Sequence, residues 1–517
     1  MSLVLFALLL GFVTYWVISR RVANLTSIPL WILWLVMMMP VLTFTVWMLL
    51  NDGQPPPTVL LYGLMILSSL VLYTILTMAS VRARQSIKAS ETNPQTEKIT
   101  EKTSKAPAKK PTKPITREEE TLLQRCFPWS VYYLQNIEYL PQAMICKGKL
   151  KSAPGEAYST IQKNVESNFG DRFLVLFQQG LNGSPFFALV PNPQAKNQIV
   201  PESATPAQVA RLKKLKQLNT RVTTRPFLAF VLAVLTLLTT TYVGAGLIGG
   251  FERLAEPTVV ELWENSELMS AGFSYGLSLM VILGVHETGH YLATRYHRLK
   301  ATLPYFIPVP FFLGTLGAFI QMRSPMPNRR ALFDIGIAGP LAGLAVSLPI
   351  LVWGLAHSSV VAMGETSQLL SFESLDPSRS MLLLIISKLA LGSQLQTTSA
   401  LNLHPLAISG CLGLIVTALN LMPVGQLDGG HIVHAMYGQK TATVVSHVAR
   451  ILMLILGYVY QEFLLWAFLL LFIPAAEPAL NDVSELNGPR DFLGLLSLAL
   501  LIMIILPAPV PLQGLIF

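Results

Sequence analysis

The sequence predicts a polytopic, all-α membrane protein of about nine spans, with a small α+β soluble domain and a re-entrant, strand-like segment near a candidate active site. Three observations support this class: 52% of the 517 residues are hydrophobic, only 13% are charged, and the mean hydropathy is +0.52. Soluble proteins carry about 25% charged residues. A fibrous, collagenous or wholly disordered chain is therefore excluded, and a soluble enzyme is not expected. With 3 cysteines, neither a disulfide framework nor a cysteine zinc site is expected.

Nine apolar runs approach the ~20 residues that a helix needs to cross a bilayer. They are residues 3–18, 30–50, 59–79, 227–249, 271–293, 333–356, 406–422, 444–472 and 492–506. The first run lacks a basic start and an A-x-A site and is followed by Arg20 and Arg21. We interpret it as a retained helix with its N-terminus outside, and not as a signal peptide. The run at residues 444–472 contains Gln461 and Glu462. If this run were a hairpin instead of a single span, the C-terminus would lie on the other side of the membrane.

The positive charge is concentrated in one segment. Residues 82–225 contain 23 Lys or Arg and 11 Asp or Glu, whereas the whole chain has a net charge of +9. Beside membrane spans, an excess of Lys and Arg indicates the face that is not translocated, and alternating spans place the other basic loops on that same inner face. We therefore expect a multi-pass protein of the lipid bilayer with its basic segment on the cytoplasmic or stromal side, and no nucleic acid partner.

Composition divides the chain into six parts. Residues 1–81 form a three-span region, 82–116 a basic disordered linker, 117–190 a small α+β domain, 191–226 a linker with a basic helix, 227–473 the membrane core and 474–517 a C-terminal loop and span. Within the small domain, the pattern predicts extended chain at 132–149, a helix at 156–169 and strands at 173–178 and 186–190. This domain shows no catalytic constellation, and a regulatory partner could bind it.

The fifth apolar run contains an H-E-x-x-H sequence formed by His286, Glu287 and His290. Residues four apart share one face of a helix, so the two imidazoles can bind one metal ion, and Glu287 lies beside them as a general base for a water molecule. An ionisable side chain in the bilayer costs about 2.5–3.5 kcal/mol. Three such residues within one turn therefore indicate a metal site more strongly than a structural polar cluster.

Catalytic zinc takes a third protein ligand, and Asp428 at the end of the seventh run is the best candidate. By the predicted topology it approaches the same inner face as both histidines. Asn420, in the same run, could orient a substrate carbonyl or a water molecule, although a role in helix packing is the alternative. Four other histidines compete weakly as ligands, because loop, interfacial or headgroup contacts explain them: His297, His431, His434 and His447.

These two motifs, H-E-x-x-H and N-x-x-P-x-x-x-L-D-G, resemble those of the site-2 proteases, which are intramembrane zinc metalloproteases. The resemblance covers residues 227–473, and the stretches around Pro308, Gly314 and Gly339 are similar to its cyanobacterial and plastid branch, which includes the ethylene-dependent gravitropism-deficient and yellow-green proteases. It implies one zinc ion bound by His286, His290 and Asp428, with Glu287 as general base and acid and Asn420 as a hydrogen-bonding residue. It also implies a cyanobacterial plasma or thylakoid membrane, or a plastid membrane.

Residues 305–322 are apolar but are broken by prolines and glycines, so a re-entrant strand or hairpin is expected there. A strand edge could pair with an unwound substrate, whereas a packed structural loop is the alternative. Gly314 and Gly317 could act as hinges, and Gly339 and Gly343, four apart, would let another helix approach closely.

The predicted reaction is hydrolysis of a peptide bond in or next to a transmembrane segment of a membrane-anchored protein. Two alternatives remain open: a membrane scaffold or regulator that cuts nothing, and a metal transporter. The intact Glu287 argues against the scaffold. A transporter would need several polar spans, which the chain does not show. The sequence identifies no substrate, cleavage position, access trigger or oligomeric state.

Overall fold

The computed structural model describes most of the chain from residue 117 onward and part of what precedes it. The described residues are 30–51, 117–140, 143–180, 183–192, 225–249, 265–310, 313–362, 375–395, 399–460 and 463–516, with positions 11, 15, 63, 64, 71 and 115. Apart from the single positions named, the predicted spans 3–18 and 59–79 lie outside them, as do most residues of both predicted linkers. The chain divides into two compact units, Met1–Ala108 with Ile451–Phe472, and Lys109–Arg450 with Ile473–Phe517.

Within the described part of the smaller unit, helix α1 (Leu30–Leu50) coincides with the predicted second run. Of the two alternatives for residues 444–472, one span or a hairpin, the described residues favour the hairpin, because the helix that enters this run ends at Val459 and a new helix covers only Leu464–Leu471. A methyl group at Gly457 would lie 3.2 Å from the Leu464 Cα atom, so the chain turns back on itself there. Two polar residues, Gln461 and Glu462, interrupt the apolar run at this place in the sequence.

The N-terminal part of the larger unit is a small α/β fold. It consists of α2 (Arg117–Arg125), β1 (Tyr132–Leu140), β2 (Ala143–Leu150), α3 (Pro154–Phe169), β3 (Phe173–Gln179) and β4 (Pro185–Pro191). The strands form one antiparallel sheet in the order β1-β2-β4-β3. Its core is aromatic: the rings of Phe177 and Phe187 stack with centroids 4.2 Å apart, and Tyr132 is fully buried against Phe187. The predicted strands and helix coincide with these elements.

The remainder of the larger unit is mainly helical. Its helices are α4 (Pro226–Gly249), α5 (Ser266–Tyr296), α6 (Arg329–Ala356), α7 (Met381–Leu391), α8 (Pro405–Leu421), α9 (Asp428–Val459), α11 (Gly488–Ile505) and α12 (Val510–Ile516). The last residues of α9, from Ile451 onward, belong to the smaller unit. The Leu464–Leu471 helix of the smaller unit, described above, is α10. Two strand pairs accompany them, β5 (Tyr305–Pro308) with β6 (Thr315–Phe319) and β7 (Ser359–Ala362) with β8 (Ser399–Asn402).

Five helices among the described residues are long and apolar enough to cross a membrane, namely α4, α5, α6, α9 and α11. The prediction of a multi-pass membrane protein is therefore supported, whereas the count of nine spans stays a prediction. Helix α8, predicted as a span, has 17 residues, the lower end of the range of about 17–25 that a transmembrane helix takes. Helix α5 packs against α4, α6 and α8 and thus lies in the middle of this helical layer.

Capping and small residues place α5 and α6 side by side. The Asn265 side chain accepts a hydrogen bond from the Leu268 amide at the start of α5, and Asn328 caps α6 in the same way through Ala331. A methyl group at Gly289 of α5 would lie 2.5 Å from the Ala338 carbonyl oxygen of α6, so these two backbones are in direct contact. Such close helix contacts through small residues are characteristic of membrane proteins.

Residues 305–322 form the predicted hairpin, since β5 and β6 pair in antiparallel register with Tyr305 opposite Phe319. Its depth in a membrane stays a prediction. Gly314, at the turn, has a φ of +81°, and a methyl group there would overlap the backbone of α4 at Thr240. The Thr239 hydroxyl donates to the Gly314 carbonyl at 2.7 Å. Gly314 therefore fastens the hairpin to α4, which does not fit the expected hinge, while Gly317 has open space around it.

Candidate metal centre

The two histidines of the H-E-x-x-H motif lie one turn apart on α5 and face the interior. His286 and His290 are 3% and 8% exposed, and their Nε2 atoms are 3.1 Å apart. The helical spacing that the sequence predicts is thus realised with both nitrogens directed at one point.

Asp428 reaches this point from a separate helix, 138 positions after His290 in the sequence. Its Oδ2 atom lies 3.2 Å from His290 Nε2 and 3.6 Å from His286 Nε2. The three groups offer ligand atoms that all lie within 4.8 Å of one another. The convergence expected for His286, His290 and Asp428 is therefore present in the fold.

A tight turn between α8 and α9 carries Asp428 to this position. Gly425 has a φ of +50°, a conformation that favours glycine, and its amide donates to the Ser446 hydroxyl at 3.1 Å. That hydroxyl in turn donates to the Pro423 carbonyl at 3.1 Å. A methyl group at Gly429 or at Gly430 would overlap the backbone of the preceding turn. The two glycines therefore let α9 begin at Asp428, directly beneath the histidines.

Helix α6 supplies the outer contacts of both imidazoles. The Nδ1 atom of His290 donates to the Ile335 carbonyl at 2.7 Å, which leaves the Nε2 lone pair free for a metal. A methyl group at Gly339 would overlap the His290 ring, and one at Gly343 would lie 3.1 Å from His286 Nδ1. The close helix approach predicted for Gly339 and Gly343 is thus directed at the two metal-binding side chains.

The donor set fits a zinc ion. Zinc binds imidazole nitrogen and carboxylate oxygen at about 2.0–2.2 Å in tetrahedral geometry, which separates its ligand atoms by roughly 3.3–3.6 Å. The separations of 3.1, 3.2 and 3.6 Å within the group agree with this to a few tenths of an ångström. Two histidines and one carboxylate also leave a fourth position open, as catalytic zinc sites do.

Glu287 and Asn420 flank the three-residue group. The Glu287 side chain is half-buried and interacts electrostatically with His290 and Asp428 and with the backbone amide of Ile320, directly after β6. The Asn420 Nδ2 atom lies 3.3 Å from His286 Nε2. The base expected beside the metal and the end of the hairpin are therefore neighbours, whereas the side chain of Asn420 contacts one of the two imidazoles.

The other histidines have partners elsewhere. His297 Nε2 lies 2.9 Å from Asp334 Oδ2, so the expected headgroup contact is replaced by an ion pair that also involves Arg490. His434 Nε2 lies 2.9 Å from Asp482 Oδ1. His447 is exposed, and none of these residues, nor His431, joins the metal-binding group among the described residues. No pattern in the sequence indicates Asp334 or Asp482 as partners of these histidines.

An apolar cleft of about 420 Å³ is bounded by α4, α5 and the start of the hairpin. Its α5 wall is formed by Val281, Gly284, Val285 and Thr288. The helical period places these residues on the face of α5 opposite His286 and His290, so the cleft is separate from the candidate metal centre.

Comparison with known proteins agrees with the chemistry of this site. Residues 274–460 match the model of peptidase family M50. The chain is 26% identical over 397 residues to the probable zinc metalloprotease EGY2, chloroplastic, of Oryza sativa subsp. indica. This aligned region covers 76% of this chain and 66% of that protein. It is 35% identical over 255 residues to the probable zinc metalloprotease EGY1, chloroplastic, of Arabidopsis thaliana. That aligned region covers 49% of this chain and 45% of the relative.

The chain therefore spans just under two thirds of EGY2 and less than half of EGY1. The family match includes all five residues of the candidate site, from His286 to Asp428. No solved structure matches the chain.

Proposed function

We infer that this chain, which carries a peptidase family M50 domain over residues 274–460, is a zinc-dependent intramembrane endopeptidase of the site-2 protease type. The observation that carries this proposal is the group formed by His286, His290 and Asp428, brought together from two separate apolar helices beside Glu287. Two relatives whose names describe them as probable zinc metalloproteases support it.

In this proposal, His286, His290 and Asp428 hold one zinc ion. Bound zinc polarises a carbonyl group and makes water more acidic. The Glu287 carboxylate accepts the proton of the attacking water and passes it to the nitrogen of the leaving peptide. Asn420 donates a hydrogen bond toward the reacting carbonyl, and the Ile335 carbonyl keeps the His290 ring in one tautomer and orientation.

The substrate is a transmembrane or juxtamembrane segment of a membrane-anchored protein. A helix shields its own peptide bonds, so cleavage requires local unwinding and a partner for the exposed backbone groups. The β5–β6 hairpin offers that partner by strand addition. Its end lies beside Glu287 through Ile320, which supports this placement.

The proposed setting is a cyanobacterial plasma or thylakoid membrane, or a plastid membrane, as the word chloroplastic in the relatives' names suggests. We place the basic 82–225 segment on the cytoplasmic or stromal side, from the excess of Lys and Arg. We retain the six-part division with borders at 81, 116, 190, 226 and 473. In this division residues 117–190 are a docking place for a regulatory partner.

The test is a Glu287→Gln variant of the full chain, with the exposed Glu267→Gln on the same helix as its matched control. We expect Glu287→Gln to keep its zinc, cleave nothing and retain its substrate, which mass spectrometry then identifies. Glu267→Gln should cleave as the unchanged protein does. Cleavage by Glu287→Gln would refute the mechanism. A chain that transports zinc into vesicles, or binds partners without cutting them, would support the transporter or the scaffold instead.

A further inference from the structure

A short segment, Ala479–Asp482, lies between the four-stranded sheet and the start of α6. On one side, the Phe177 amide of β3 donates to the Leu480 carbonyl at 2.6 Å and the Asp482 amide donates to the Phe177 carbonyl at 2.9 Å. On the other side, the Leu480 and Asn481 amides donate to the carbonyls of Met326 and Pro327 at 2.8 and 3.0 Å. The segment thus forms one parallel β-bridge with β3 at the edge of the sheet and another with the chain that enters α6.

Two side-chain contacts reinforce this connection. Gln178 Nε2 donates to the Ala479 carbonyl at 2.7 Å, and Lys440 Nζ of α9 donates to the Gly180 carbonyl at 2.6 Å. The small α/β fold is therefore attached both to the segment and to the part of α9 that follows Gly438, where a φ of +82° interrupts the helix that begins with Asp428.

The carboxylate of Asp482 links α6, which contacts both imidazoles from behind, to α9, which begins with Asp428. Its Oδ1 atom accepts hydrogen bonds from Arg329 Nε at 3.2 Å and from His434 Nε2 at 2.9 Å. All three residues are buried, with exposed fractions of 3% for Asp482, 7% for Arg329 and 0% for His434. A buried charge held by two donors fixes the geometry of the elements it joins, because any displacement leaves a polar group without a partner.

Each of these two donors lies six positions from a residue of the metal centre. On α6, Arg329 is the first residue and lies six positions before Ile335, whose carbonyl accepts the His290 hydrogen bond. On α9, His434 lies six positions after Asp428, the first residue of that helix. Six helical residues rise by about 9 Å. A methyl group at Gly336 would lie 3.3 Å from the Asp428 carbonyl, so α6 and α9 touch between Asp482 and the metal-binding residues.

We propose that Asp482 is a positioning residue for the metal centre, held in place by the docked four-stranded sheet. Its bonds to Arg329 and His434 set the relative placement of α6 and α9, and hence of the Ile335 carbonyl behind His290 and of Asp428. The small α/β fold thereby controls how firmly zinc is held, although it contributes no ligand. This inference rests on the zinc site of the proposed function.

The test measures the rate of zinc dissociation from the reconstituted full chain, using a coloured chelator. Loss of contacts around metal ligands typically weakens binding 10–100-fold, so Asp482→Ala should speed zinc release by roughly tenfold or more. Asp482→Asn should have a smaller effect, because its amide oxygen still accepts from both donors. The control is Glu119→Gln, which breaks the Glu119–Arg172 ion pair inside the small fold and should release zinc within about twofold of the unchanged rate. Equal release from Asp482→Ala and the unchanged chain would overturn the proposal.

If Asp482→Ala does not fold, a double variant decides. Gln178→Ala with Lys440→Ala removes both side-chain attachments, and Gln179→Ala, whose amide bonds to Gly183 within the same fold, is its control. We expect faster amide hydrogen exchange at residues 429–435 in the double variant than in the control, both without zinc. Equal exchange would overturn the proposal. A chain that shows these zinc and exchange effects but cleaves nothing would refute the proposed function and leave this inference standing.

Discussion

Gly339 of α6 should be required for zinc binding, although it contributes no ligand atom. A methyl group at this position would overlap the His290 imidazole. The ring is held from the other end by its hydrogen bond to the Ile335 carbonyl at 2.7 Å, so it cannot move away without losing that bond. In Gly339→Ala, either His290 turns away from Asp428 or α6 moves away from α5.

The size of the effect follows from the role of such outer contacts. Their loss weakens metal binding 10–100-fold, which is about 1.4–2.8 kcal/mol. In a helix interior, alanine is more favourable than glycine by up to about 1 kcal/mol. Part of this gain is lost at position 339, because the following Pro340 disfavours helical backbone geometry in the residue before it. Overpacking a buried site costs about 1–3 kcal/mol, so the free energy of unfolding of the metal-free chain should fall by a similar amount, and zinc affinity should fall with it.

Competition with a chelator of known affinity measures the dissociation constant for zinc in the reconstituted chain. Gly343→Ala should show a smaller loss, because a methyl group there lies 3.1 Å from His286 Nδ1 and needs only a slight adjustment. Gly284→Ala, on α5, meets only Phe306 at 3.4 Å and should bind zinc as the unchanged chain does. Unchanged affinity in Gly339→Ala would refute this account of how α6 supports the imidazoles.

Two further predictions concern the hairpin and the small α/β fold. Gly314→Ala should displace the hairpin from α4, because its methyl group meets the Thr240 backbone and alanine disfavours a φ of +81°. The kcat/KM for substrate cleavage should then fall about tenfold or more while the zinc content stays unchanged. Full activity in this variant would exclude the hairpin from substrate binding. Burial raises the pKa of the Cys146 thiol to about 12 from an ordinary 9.0, so iodoacetamide at pH 8 should label it at least ~100-fold more slowly in the native chain than in denaturant. Because the folded state holds this proton more tightly, the thiol should lower the free energy of unfolding only above about pH 9, and native labelling at the denatured rate would contradict its burial.

The residues of the candidate site could be predicted because each belongs to a local pattern. His286 and His290 are related by the helical period, and Asp428 lies in a polar interruption of an otherwise apolar chain. The expectation that the two motifs meet needed one further step, the counting of spans to place both on one face. The structure agrees with it, with 3.2 Å between Asp428 and His290.

The supporting contacts could not be predicted, because they join residues that are remote in sequence and leave no periodic pattern. Asp482 and Arg329 are 153 positions apart, and the carbonyl of Ile335 carries no signal of its own. The break after Val459 could be predicted only as one of two alternatives, since the apolar run continues on both sides of two polar residues. Hydropathy reports which residues avoid water, but it does not report where a helix ends inside an apolar run.

The most direct test of the account is the zinc content of the purified chain. We expect about one zinc per unchanged chain, and we expect Asp428→Asn to lose most of it, because its amide replaces an anionic ligand. The exposed His447→Asn is the control and should keep its zinc. Full zinc occupancy in Asp428→Asn would contradict the claim that His286, His290 and Asp428 together hold the ion.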